Sequence, residues 1–152
     1  MGVTVGVNMM SVIHKDSGGV TIAFPDVCNT PSPAGPVPIP YPNIAMSSDT
    51  ADGAQKVTAD GNPICLKTST FSTSTGDEAG SNNGLASGKT KGVAEFMMAS
   101  FNVKVEGAAV PKAFDIMLHN DKNTPPFPVL QGPIIAMPST DEVTCVCCSK
   151  AM

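Results

Sequence analysis

Seven prolines fall between Pro25 and Pro42, in the stretch FPDVCNTPSPAGPVPIPYPNIAMSSD, and they restrict this chain more than any other feature. Four of them alternate with other residues in Pro36-Val37-Pro38-Ile39-Pro40-Tyr41-Pro42. Each proline fixes φ near −65° and removes a backbone donor, so the run can be neither a helix nor a central strand. Each residue before a proline is pushed toward extended geometry as well. The segment is therefore extended and stiff, with polyproline character. A solvated linker rarely carries Phe24, Val27, Ile39, Tyr41 and Ile44 among its prolines, so the run reads as an ordered belt against a small β-core.

The rest of the composition agrees. At 152 residues the chain suits one domain with a core of its own. Glycine and proline number 14 each, which favours turns and extended segments over long helices. The fold expected is mainly β, with short strands and long Pro/Gly-rich loops. All nine basic residues are scattered lysines and the net charge is −4, which excludes the clustered Lys and Arg that bind a phosphate backbone. Nucleic acid is not an expected partner. No apolar run reaches the ~20 residues of a membrane span, and MGVTVGVNMM has no basic segment of the secretory kind. The expectation is a chain made in the cytoplasm without a signal peptide.

In order, residues 3–8 and 20–23 read as strands. Asp60-Gly61-Asn62 between β-prone runs predicts a hairpin. Residues 68–92, rich in Ser, Thr, Gly and Asn, read as a long loop pinned by Phe71 and Leu85. Val93–Met98 and Phe101–Glu106 read as strands, and PKAFDIMLHN as a short helix beginning near Pro111. Residues 124–138 form a second proline-rich belt.

The blocks FPDVCNTPSPAGPVPIPYPNIAMSSD, GNPICLKTSTFSTSTGDEAG, FNVKVEGAAV and DIMLHN, in this order, resemble the PAAR-like proteins. The matching pieces cover roughly residues 8–120, with 121–152 a C-terminal extension of one tip domain spanning 1–152. The resemblance implies a small conical β-structure with a pseudo-three-fold base. Such a tip caps the trimeric β-helical spike of a contractile injection machine, one tip per trimer, in a type VI secretion system or phage-tail-like particle. It also implies docked effector proteins, transient contact with a target membrane, delivery on contraction, and a structural zinc ion held by His and Cys. No catalytic role follows from it.

Zinc prefers four tetrahedral ligands drawn from Cys and His. Five cysteines do not pair evenly, so metal ligation or free thiols fit better than a disulfide framework. With two histidines in the chain, the resemblance points to His14, Cys28 and His119 as ligands. The fourth comes from the cluster Cys145, Cys147 and Cys148, with Cys148 chosen. Taken alone, Cys28 also reads as a buried apolar cysteine and the histidines as surface groups. Cys65, between Ile64 and Leu66, is expected in the core. Asp77 and Glu78 read as paired carboxylates or, more simply, as solvated acids. The rival class is a thiol hydrolase using Cys28, His119 and Asn120 or Asp115; a third reading is an effector adaptor or chaperone.

Overall fold

The computed structural model describes residues 3–132, and their regular structure is almost wholly β-strand, broken by turns and irregular segments. Three short hairpins are set by turn chemistry. Strands β1 (Gly6–Val7) and β2 (Met10–Ser11) turn through Asn8 and Met9, both with positive φ. Strands β6 (Thr58–Ala59) and β7 (Asn62–Pro63) turn through Asp60 and Gly61, and the expected hairpin is there. Strands β10 (Lys104–Val105) and β11 (Ala108–Ala109) turn through Glu106 and Gly107. All three are two-residue loops with φ above zero at both central positions, whose twist matches that of the flanking strands.

The proline belt becomes one arm of a long ribbon. Strand β3 (Val20–Thr30) pairs antiparallel with β4 (Val37–Met46) over nine pairs, with a register shift between Ala23 and Asp26. β4 carries its prolines on a two-stranded ribbon, never between two strands of a sheet. A five-stranded antiparallel sheet runs β13-β12-β9-β8-β5, built from β5 (Thr50–Ala51), β8 (Thr70–Phe71), β9 (Ala94–Phe96), β12 (Ile116–Leu118) and β13 (Phe127–Pro128). The start of β3 joins it through the pair Val20 and Leu130.

Two apolar clusters fill the interior. One gathers Val3, Val7, Val12, Ile64, Leu66 and Val110 beneath the small hairpins. The other packs Ile13, Cys65, Phe71, Phe96, Met117 and Val129 under the five-stranded sheet, with Phe71 and Phe96 edge to face at 5.7 Å. Cys65 is a core residue, as its alternation implied. The distal half of the β3–β4 ribbon belongs to neither cluster, and its support is polar.

The sequence pattern misled in three places. The run PKAFDIMLHN is no helix: Phe114 takes φ 68° and stays exposed, and Ile116–Leu118 forms the strand β12 between β9 and β13. The 3.6-residue spacing of Phe114, Met117 and Leu118 was short enough for sheet pairing to override it. Phe101 is 89% exposed, so the strand expected there begins only at Lys104. Phe71 pins its end of the loop 68–92 in the core, but Leu85 lies on the surface.

With no long helix among the described residues, the sheet core leans on the buried Phe71 and its edge-to-face contact with Phe96. Replacing the fully buried Phe71 with alanine should cost about 3–5 kcal/mol in a urea titration. A loss below about 1 kcal/mol would mean that the second cluster is not the sheet's core.

Candidate functional site

The polar support of the distal ribbon is a buried hub around Asp26. In β3 the side chains of Asp26 and Cys28 point to the same face, because residues two apart share a face in a strand. Both are fully buried, and Asp77 from the 68–92 loop is buried beside them. Potential ligand atoms of Asp26, Cys28 and Asp77 all lie within 4.8 Å of one another. Among the described residues this is the one group of three or more His, Cys, Asp or Glu side chains so placed.

Asparagine amides face the carboxylate. Asn43 donates to Asp26 Oδ2 at 2.5 Å, Asn120 donates to Oδ1 at 3.2 Å, and Asn123 donates to Oδ1 as well. The orientation of each amide follows from its other partners. Asn120 Oδ1 accepts from the Gly92 N–H at 2.8 Å while its Nδ2 donates to the Lys89 carbonyl at 2.9 Å. Asn123 Oδ1 accepts from the N–H of Ala86 at 2.8 Å, and its Nδ2 donates to the Val27 carbonyl at 3.0 Å. Behind Asn43 stands His119, whose Nδ1 faces Asn43 Oδ1 at 3.4 Å and whose Nε2 faces the Thr21 hydroxyl at 3.0 Å. With Asn43 Nδ2 committed to Asp26, its Oδ1 must accept, so Nδ1 carries the imidazole proton and Thr21 donates to Nε2.

Two unusual backbone features bring these groups together. Asn120, Asp121 and Lys122 all have positive φ, a left-handed turn that puts Asn120 and Asn123 on the hub side. Left-handed backbone costs roughly 1–2 kcal/mol per residue, least for Asn and Asp, so this turn is held from outside. His119 N–H donates to the Thr124 hydroxyl at 3.0 Å and Asn123 N–H to the His119 carbonyl at 3.0 Å, which closes it. The second feature is glycine in the loop. A Cβ on Gly80 would sit 2.3 Å from Cys28 Cβ, and one on Gly92 would sit 2.7 Å from Asn120 Oδ1. The loop 68–92 is therefore the cover of the hub, and its glycines let backbone lie directly on the site.

The electrostatics are those of a site that wants a positive charge. Burial, reinforced by the charges of Asp26 and Asp77, pushes the Cys28 thiol up to about 12. Burial also raises Asp77, with the neighbouring Asp26 adding to it, against a donated N–H from Lys91. Neutral Cys28 is a poor nucleophile, and its contacts are to Asp26, Asp77 and two asparagines while His119 turns to Thr21 and Asn43. The triad of Cys28, His119 and Asn120 or Asp115 is thus not assembled; Asp115 is tied to Lys112.

The donor set fits a divalent cation. Cys28 Sγ lies 3.6 Å from Asp26 Oδ1 and 3.8 Å from Asp77 Oδ2. Zinc bonds of about 2.3 Å to sulfur and 2.0–2.2 Å to oxygen at a tetrahedral angle put the two ligand atoms about 3.5–3.7 Å apart. A buried Asp-Cys-Asp group of this spacing can hold a metal ion. Of the four residues expected as ligands, only Cys28 is in it. His14 lies elsewhere, its Nδ1 accepting from the Asp16 N–H at 3.1 Å and its Nε2 facing Asp60 Oδ2 at 3.2 Å. His119 stands one residue behind Asp26, through Asn43, with both ring nitrogens engaged. Cys148 lies outside the described residues. Asp26 carries no signal in the sequence beyond standing two residues from Cys28 on a strand, and Asp77, which reads there as a paired or a solvated carboxylate, is buried in the group. Asn43 and Asn123 gave no signal.

His119 makes the hub sensitive to acid. Burial lowers its pKa from 6.5 to about 4, because the neutral ring is the one that fits between Thr21 and Asn43. A depressed folded-state pKa contributes stability that is present above pH ~6.5 and lost as pH falls through about 4. Asp77, raised, acts in the opposite sense, so the comparison must isolate His119. Wild type should lose on the order of 3 kcal/mol more than His119→Gln between pH 7 and 4, read by denaturant titration at each pH. Parallel pH profiles for the two proteins would show that His119 is not held neutral.

Comparison with known proteins fits the geometry. The toxin PAAR-like domain family matches residues 19–126, a span that contains Asp26, Cys28, Asn43, Asp77, Asn120 and Asn123. The DNase toxin Tse7 of Pseudomonas aeruginosa is 40% identical over 135 residues, covering 81% of this chain and 35% of the relative. The chain thus spans about a third of that relative's length. No solved structure matches. The expectation of a protein with no enzymatic role is corrected by this relative, since a chain so similar over its matched part is a DNase toxin. By the match over more than half of its length, this chain belongs to the toxin PAAR-like domain family.

Proposed function

We propose that this chain is the spike-tip module of a contractile injection machine and that it serves a toxin of the DNase kind. Membership of the toxin PAAR-like domain family carries this reading. In it, residues 1–152 form one tip domain that caps a trimeric β-helical spike, one copy per trimer, sharpens it for piercing a membrane and is delivered on contraction. The described residues contain no helix long and apolar enough to cross a membrane.

The metal in this reading is a structural zinc ion at the hub. Cys28, Asp26 and Asp77 would hold it, with Cys148 proposed for the fourth position. Zinc supplies a cross-link and a charge that offsets two buried carboxylates. The protein's own groups do the rest. Asn43, Asn120 and Asn123 orient Asp26, neutral His119, itself held by Thr21, holds Asn43, and the glycine loop covers the site. Cys28 would bind it as the thiolate. The distal ribbon lacks an apolar core, so a staple here stiffens the part that has least other support.

The toxin part of the proposal comes from the relative, whose name states a DNase. In this reading the tip and the DNase activity belong to one delivered toxin. Native mass spectrometry of the whole protein with its trimeric spike should show one tip per trimer. Plasmid incubated with the same complex should be degraded. Three tips per trimer would refute the capping geometry, and intact plasmid would refute the link to a nuclease.

A further inference from the structure

The three small hairpins repeat one pattern. The carbonyls of Val5, Val57 and Val103 accept across the turn from the N–H groups of Val12, Ile64 and Val110, at 3.1, 3.2 and 3.2 Å. The first turn residue of each hairpin also reaches the arm that leads into another. Asp60 accepts from the Thr4 N–H, Glu106 accepts from the N–H groups of Gln55 and Lys56, and Asn8 donates to the Ser100 hydroxyl. The hairpins thus close a ring in cyclic order. Two of its three seams are sealed by backbone. Lys67, three residues past Ile64, donates its N–H to the Ala109 carbonyl at 2.8 Å, and Ala113, three past Val110, donates to the Ser11 carbonyl at 2.8 Å.

The same pattern calls for Lys15, three residues past Val12, to donate to the Pro63 carbonyl. It does not. His14 is buried with its Nε2 facing Asp60 Oδ2 at 3.2 Å, and the Ser17 N–H bonds back to the His14 carbonyl, so the chain turns away there. Pro63 lies opposite Thr58, beside the bonded pair of Ile64 and Val57, so its carbonyl points outward from β6. No backbone N–H of the described residues donates to that carbonyl, and no backbone carbonyl among them accepts the Lys15 N–H. Both residues line a pocket of about 240 Å³, together with Thr50, Asp52 and Gly53.

Local structure keeps this pocket open. Gly53 has no positive φ, so its backbone does not call for glycine. A Cβ there would stand 3.1 Å from Pro63 Cβ and 3.6 Å from the Pro63 carbonyl oxygen, and a longer side chain would crowd that wall. Asp52 beside it is left-handed at φ 58°, its carbonyl held by the Ser69 hydroxyl at 2.9 Å. Neither Lys15 nor Asp52 is in an ion pair with a described residue. The two sealed seams show what fills such a gap, which is extended backbone. One further extended residue would give its N–H to the Pro63 carbonyl and take the Lys15 N–H on its own carbonyl. The free charges of Lys15 and Asp52 favour an acidic and a basic neighbour on either side of it. We propose that the seam between Lys15 and Pro63 is a binding site for a short extended peptide segment of a partner protein, which completes the ring. Pro63 has no N–H, so the contact stops short of a full added strand. The proposal stands whatever occupies the hub.

The test titrates the full 152-residue chain, labelled with 15N, with the capped tripeptide N-acetyl-Lys-Val-Glu-amide. The amide signals of Lys15 and Gly53 should shift at least about threefold more than those of Lys67 and Ala113, whose seams are already filled. Shifts of equal size at all four, or none at Lys15, would overturn the proposal. A second arm fills the pocket with Gly53→Val, which should cut the Lys15 shift at least about fivefold and leave the Lys67 and Ala113 signals in place. An undiminished Lys15 shift in that variant would put the peptide elsewhere and overturn the assignment; should the variant not fold, the wild-type titration still decides.

Discussion

Asp26 is a buried carboxylate with no cationic side chain of the described residues bonded to it, and the distal half of the ribbon is arranged around that fact. An unpaired buried charge is very costly, so it must be met by hydrogen bonds or by a cation. Here asparagine amides and a thiol converge on it from β3, β4 and the left-handed turn. Removing one of them leaves the carboxylate short of a donor that solvent cannot replace. Buried networks of this kind specify one arrangement strongly when complete, and no buried side-chain polar atom of the described residues lacks a partner.

Local strain elsewhere has its reason in the same hub. The left-handed run Asn120 to Lys122 and the close approach of Gly80 to Cys28 are both unfavourable for a generic chain. They persist because the contacts they permit are buried and charge-assisted, which makes them roughly twice as strong as neutral ones. The division of labour is physical. Two modest apolar clusters hold the small hairpins and the sheet, and polar bonds, with a cation in the proposed reading, hold the ribbon that those clusters do not reach.

Much of the fold was legible because turn chemistry is local. Asp60-Gly61 gave its hairpin, alternation around Cys65 gave a core position although Cys65 lies outside any strand, and the prolines of β4 excluded both a helix and a central strand. What failed was long-range or rested on short patterns. Three apolar residues in PKAFDIMLHN mimicked a helix face until sheet pairing with β9 and β13 decided otherwise. The site was half legible. Cys28 could be singled out, and Asp26 shares its strand face by simple alternation, but Asp77, Asn43 and Asn123 meet it only through tertiary closure. The family resemblance pointed to the two histidines as ligands, yet their ring nitrogens are committed to Asp16 and Asp60 in one case and to Thr21 and Asn43 in the other.

The family match gives the chain a place among toxin PAAR-like domains, and the hub gives that place a physical content: a small β-structure stiffened where its apolar core runs out. The central claim is that the hub takes a divalent cation through Cys28 and the two aspartates. Zinc-edge X-ray absorption on protein loaded with one equivalent of zinc measures it most directly. The account predicts a mixed shell of sulfur at about 2.3 Å and oxygen at about 2.0–2.2 Å, with both signals weakened in Cys28→Ser and the oxygen signal altered in Asp77→Asn. A shell dominated by imidazole nitrogen, or one that neither substitution changes, would contradict it.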